Sequence, residues 1–199
     1  AGLRDAARAA GEDLIGSRDM EDFPFTLNNE TERAIAADPL FRRGLDYGRP
    51  RRGHPEGAIK HHIAAVIGNI ERWYAPSPSY RSLRLIALIH DTFKYQVDKT
   101  KQRTGANHHG TLARRFAENY ITDEAVLEVI ELHDEAYNAW VVGHRRGKWD
   151  AARQRARRLI ERLGDNLDLY LAFYRCDNET GDKTQDGRQW FEKLVAEMA

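Results

Sequence analysis

The chain has 199 residues, and its 31 basic and 31 acidic side chains cancel. That length buries roughly 70% of the surface an unfolded chain exposes, so folding needs no disulfide or metal, and the single cysteine, Cys176, excludes an internal bridge. Apolar runs such as Leu85 to Ile89 are far short of the roughly 20 residues of a membrane span, and charge neutrality argues against a general nucleic-acid binder.

No secretory segment is read at the start, and a cytoplasmic, single-domain protein spanning 1–199 is expected. Sustained apolar/polar alternation is absent, whereas helical periodicity recurs throughout, which predicts an all-α fold. The opening from Leu3 to Ile15 reads as a helix, and a second short one begins near Thr31. Three prolines and four glycines between Asp38 and Gly57 mark a shaped loop. A helix then runs from about Ala58 to Tyr74, with Ile63, Val66, Ile67 and Ile70 on one face, and Pro76 and Pro78 stop it. Ser79 is positioned to cap the next helix, which extends to about Tyr95 and is apolar almost all round between Leu83 and Ile89, as a central buried helix requires.

A polar loop from Asp98 to Asn107 leads to a helix over about 110–120. Thr122 signals the start of another, which places Val126, Val129, Ile130 and Tyr137 on one stripe. Further helices are predicted over about 150–163 and 167–176. A last amphipathic helix gathers Trp190, Phe191, Leu194 and Val195. The N-terminal helices and this last one are expected to pack on a core at about 54–178.

Chemistry shows as polar residues on apolar stripes. Seven of the eight histidines lie between positions 54 and 133. His62 shares a face with Val66 and Ile70, because residues four apart stack on one side of a helix, and His61 turns outward. His90 and Asp91 end the buried run. His133 follows Val126, Val129 and Ile130, and Asp177 lies on the stripe of Tyr170, Phe173 and Tyr174. One such histidine is ordinarily a hydrogen-bonded core residue. Two carboxylates at core positions need compensation, and those stripes carry no Arg or Lys, so a shared cation is the economical explanation. Imidazole with carboxylate suits Mn, Fe, Co, Ni or Zn.

This ordered set, His62, then His90-Asp91-Thr92-Phe93-Lys94, then a late Asp177, resembles the HD superfamily of metal-dependent phosphohydrolases. Phe93 stands where that family has glycine. His54-Pro55-Glu56-Gly57 and Arg175-Cys176-Asp177-Asn178 are similar to the HD module found with some CCA-adding tRNA nucleotidyltransferases. The resemblance implies an HD-like helical bundle in which His62, His90, Asp91 and Asp177 hold a metal. Members with two metals add a histidine after the HD helix, here His108 or His109, and another matching His133, so the resemblance implies one or two ions per chain.

The activity implied is hydrolysis of a small phosphorylated compound, such as a nucleotide, by metal-activated water. Asp91 anchors the metals, Lys94 or an arginine offsets charge on the phosphoryl group, and Asp134 orients a ligand or water. Arg51, Arg52 and Lys60 flank the glycine-rich loop as candidate anion-binding residues. Two alternatives use the same fold: a di-iron oxygenase, and an RNA-binding module with a structural metal that uses the basic run Arg145, Arg146, Lys148, Arg153, Arg155, Arg157 and Arg158. No membrane contact is expected.

Overall fold

A computed structural model describes residues 23–198; the helix expected over 3–15 lies outside them. The described residues are all-α, with a single isolated bridge between Arg51 and His54 in place of any strand.

Helix α1 (Glu30–Ala37) starts at Asn29, whose side chain accepts from Glu32 N. The segment 38–57 is less irregular than its prolines and glycines imply. Asp38 accepts from Leu40 N and Pro39 occupies the first turn, so α2 (Pro39–Leu45) forms there, proline being preorganised for that position. Only the stretch after α2 is loop. Helix α3 (Ile59–Tyr74) buries Ile59, His62, Ile63, Val66, Ile67 and Ile70, and α4 (Tyr80–Ile89) buries every residue from Leu83 onward. Ser79 precedes α4 without making a side-chain cap bond.

Two helices end earlier than their periodicity predicts. Helix α4 stops at His90–Asp91, and Thr92–Gln96 continues as a 3-10 helix. Helix α6 (Glu124–Leu132) starts from Asp123, which accepts from Ala125 N, and not from Thr122; it stops at His133–Asp134 before α7 (Glu135–Arg146) begins. Between them, α5 (His109–Ala117) is capped by the His108 ring, which accepts from Gly110 N. Gly147, at φ 66°, ends α7 in the left-handed conformation that favours glycine. Helices α8 (Trp149–Leu163), α9 (Leu167–Asn178) and α10 (Asp186–Met198) complete the chain.

Neighbours in sequence pack as pairs, α3 with α4, α5 with α6 and α7 with α8, while α9 touches α3, α4 and α6 from the far end of the chain. Two glycines permit close approach beside the histidines. A Cβ at Gly44 would lie 2.0 Å from Thr92 O, and one at Gly110 would lie 2.3 Å from Glu131 O. One charged pair crosses the interior: Arg84, inside the apolar run of α4, donates from Nε and Nη2 to the two carboxylate oxygens of Glu32, each at 3.0 Å. Both side chains are buried.

Candidate metal centre

Five elements bring the intruding polar residues to one place. His62 comes from α3, His90 and Asp91 from the end of α4, His109 from the start of α5, His133 from the end of α6 and Asp177 from α9. His62, His90, Asp91 and His133 are each at most 3% exposed.

The protonation pattern follows from what each ring touches. His90 Nδ1 lies 3.0 Å from Ala87 O, and His133 Nδ1 lies 2.9 Å from Ile130 O. A carbonyl only accepts, so both Nδ1 atoms carry hydrogen, and neutral rings then present bare Nε2 lone pairs. These face other acceptors. His90 Nε2 is 3.3 Å from His62 Nε2 and 3.6 Å from Asp91 Oδ2, and His62 Nε2 is 2.9 Å from Asp177 Oδ1. On the other side of Asp91, His133 Nε2 and His109 Nε2 stand 3.1 Å apart, at 3.3 and 3.4 Å from Oδ1. Asp91 thus turns one oxygen to each pair of imidazoles.

Acceptors converging on acceptors are repulsive unless protons or a cation lie between them. Ligand atoms about 2.1 Å from one ion stand roughly 3.0–3.4 Å from each other, which matches both imidazole pairs. Asp91 Oδ1 is buried and, among the described residues, has no hydrogen-bond donor. Groups His62–His90–Asp91 and Asp91–His109–His133 can each hold a metal ion.

Titration reflects the same crowding. Burial drives His90 down to about 3, so it stays neutral. Burial also works against charge on His62, but the facing Asp177 and Glu56 carboxylates outweigh it and raise its pKa; Asp91 does the same for His133. Asp91 and Asp177 remain ionised well below the usual carboxylate range, because the cations beside them overcome desolvation. The stripes themselves carry no Arg or Lys, as the sequence argument has it, but lysines reach both carboxylates from outside them. Lys94 Nζ contacts Asp91 Oδ2, and Lys183 Nζ lies 2.9 Å from Asp177 Oδ1. Lys183 sits in the turn after α9, so no stripe could reveal it.

The pair at 108–109 divides its work. His109 joins His133 and Asp91, whereas His108 spends Nδ1 on the α5 cap and turns Nε2 towards Asp134 Oδ2 at 3.5 Å. Asp134 lines a cleft of about 680 Å³ with His108, His109, Lys94 and Arg51. A second cleft, of about 590 Å³, reaches His54, His62 and Asp91, and Arg51 and Lys94 line it too. The other two candidate anion binders are not gathered there: Arg52 is exposed, lining neither cleft, and Lys60 pairs with Asp46 at 2.7 Å. Most of the basic run is exposed at the end of α7 and on α8, with Arg155 engaged by Glu135.

Glu56 is a residue that helical reasoning missed. Its Oε1 is 3.0 Å from His54 Nδ1 and 3.1 Å from His62 Nδ1, the latter in ion-pair range but off a hydrogen-bond line. Its signal was the His54-Pro55-Glu56-Gly57 segment. No helix among the described residues is long and apolar enough to cross a membrane. No family model, curated protein or solved structure matches the chain.

Proposed function

We propose that this chain is a metal-dependent phosphohydrolase of the HD type, acting on a small phosphorylated compound. One observation carries the reading: the buried Asp91 carboxylate, with Oδ1 lacking any donor, stands between two pairs of imidazole nitrogens. In this reading His62, His90, Asp91 and Asp177 hold one ion and Asp91, His109 and His133 a second. The nitrogen and oxygen donors favour Mn, Fe, Co, Ni or Zn over Ca or Mg. When bound, such an ion supplies Lewis acidity and lowers the pKa of water from about 15.7 to about 7.

The chain's own residues supply the rest. Lys94 and Arg51 line both clefts, so their charges sit where phosphoryl oxygens would lie and offset charge building there. Asp134 stays ionised because the His108 contact and the nearby His133 and His109 outweigh its burial, and it lines the cleft with His108. Histidine Nδ1 contacts to Ala87 O and Ile130 O fix the rings with Nε2 inward, so the donors are oriented before any ligand arrives.

The test is elemental analysis of protein purified without added metal or chelator, followed by hydrolysis of p-nitrophenyl phosphate and nucleoside phosphates. Wild type is expected to carry a transition metal and release phosphate. Asp91→Ala should lose both while keeping its helical circular dichroism. Oxygen consumption without phosphate release would replace this reading with a di-iron oxygenase. RNA binding that survives Asp91→Ala, with no hydrolysis in wild type, would replace it with a binding module.

A further inference from the structure

We infer that the compound bound at this site carries at least two phosphoryl groups, the second held by Arg49, Arg51 and Lys99. The inference rests on the phosphohydrolase reading and narrows its substrate to oligophosphates and bis-phosphorylated compounds.

The two clefts share Tyr47, Arg51, Lys94 and Lys99, so they form one continuous trench past Asp91. Of the seven arginines and lysines along it, three are already neutralised and Arg103 is exposed. Lys94 pairs with Asp91, Arg155 with Glu135, and Arg162 with Glu128 and Glu131. Arg49, Arg51 and Lys99 differ: among the described residues no carboxylate lies within ion-pair distance of any of them. A single phosphoryl group at the Asp91 centre already meets Lys94. Three further uncompensated cations in a concave wall focus positive potential beyond that point, in a chain whose overall charge is zero.

The segments carrying these cations are fixed in place. Arg51 N donates to His54 O at 3.0 Å and His54 N to Arg51 O at 2.9 Å, closing a tight turn. Asp182 Oδ1 accepts from Gly53 N at 2.5 Å and pins that turn to the segment after α9. Asn107 ties down the loop that bears Lys99: it accepts from Asp98 N at 2.9 Å and donates to Asp98 O and Gln102 O. Lys99 Nζ lies 6.0 Å from the centroid of the Tyr47 ring, within cation–π range, which keeps the ammonium in the trench. Cations that are unpaired yet held by ordered loops are preorganised for an anion and lose little entropy on binding.

The experiment measures calorimetric binding of inorganic orthophosphate and inorganic tripolyphosphate to the full chain as purified. Wild type and the double variant Arg49→Gln/Lys99→Gln are compared, with metal content and circular dichroism recorded for each. Both substituted side chains are exposed, so folding is not at stake. Tripolyphosphate is expected to bind at least about tenfold more tightly than orthophosphate, and the double variant to lose about tenfold on tripolyphosphate with a smaller change on orthophosphate. Equal affinity for the two anions, or an unchanged double variant, overturns the inference even if p-nitrophenyl phosphate is hydrolysed. Preference for tripolyphosphate without hydrolysis of any ester supports the anion subsite while removing the phosphohydrolase reading.

Discussion

Glu56 Oε1 stands 3.1 Å from His62 Nδ1, on the ring edge opposite the Nε2 that faces Asp177. A carboxylate behind a metal-ligating histidine makes the other nitrogen a better donor, and outer contacts of this kind are worth roughly 10–100-fold in metal affinity. Glu56→Gln should therefore weaken metal retention by about that factor, measured by competition with a chromophoric chelator. Unchanged affinity would show that the contact does not orient the ring.

The same carboxylate predicts an acid-labile contribution to stability. Burial pushes its pKa up, but the His62 and His54 contacts dominate and hold it at about 2, against an ordinary 4.5. A folded pKa below the unfolded one stabilises the protein above the unfolded value, and that stability is lost as pH falls from about 4.5 towards 2. Urea denaturation of metal-free protein should show wild type more stable than Glu56→Gln by about 1–3 kcal/mol at pH 6, the gap closing by about pH 2. A gap independent of pH would contradict the assignment.

His61 and His62 give a test with an internal control. His62 is buried and meets Asp177, whereas His61 is exposed on the opposite side of α3. His62→Ala should lose metal, while His61→Ala should change melting temperature and metal content little. Equal losses would mean that the ring at 62 is not a donor.

The phase of α3 was legible because apolar residues at 63, 66, 67 and 70 leave only one inward direction for a histidine at 62. The breaks after α4 and α6 were not legible. Hydrophobic periodicity runs on towards Tyr95 and Tyr137, and nothing in it marks His90 and His133 as helix ends where the ring bonds the carbonyl three residues back. The choice between His108 and His109 also escaped periodicity, since it depends on which ring caps α5. Lys183 beside Asp177 and the Arg84–Glu32 pair spanning 52 residues are loop or long-range contacts that no local pattern encodes, whereas Lys94 lies only three residues beyond Asp91.

That buried pair makes its own prediction. Arg84→Met would leave the Glu32 carboxylate enclosed without its counter-ion, which costs about 3–5 kcal/mol. Pairing it with Glu32→Leu removes the stranded charge, so the double variant should recover much of the loss. Chemical denaturation of the two single variants and the double variant measures the coupling directly. Additive losses would show that the two groups do not interact.

Nuclearity is decided by His133. Its ring resembles that of His90, with Nδ1 given to a main-chain carbonyl and Nε2 turned to Asp91, but it faces Oδ1 where His90 faces Oδ2. If each Asp91 oxygen serves its own ion, the His90 side should survive removal of the His133 ring. His133→Ala and His109→Ala should each lower the metal content from about two per chain to about one, the spacing expected for such pairs being about 3.5–4 Å. His108→Ala should leave both ions, because its ring is occupied at the α5 cap and with Asp134. A purely structural His133 would instead leave metal content unchanged and appear as about 1–3 kcal/mol of lost stability, from the orphaned Ile130 carbonyl. Elemental analysis with a thermal melt separates the two, because one outcome changes stoichiometry and the other changes only the melt. Loss of one ion is the expected result, since the His133–His109 pair at 3.1 Å and the donorless Asp91 Oδ1 are both accounted for by one cation between them.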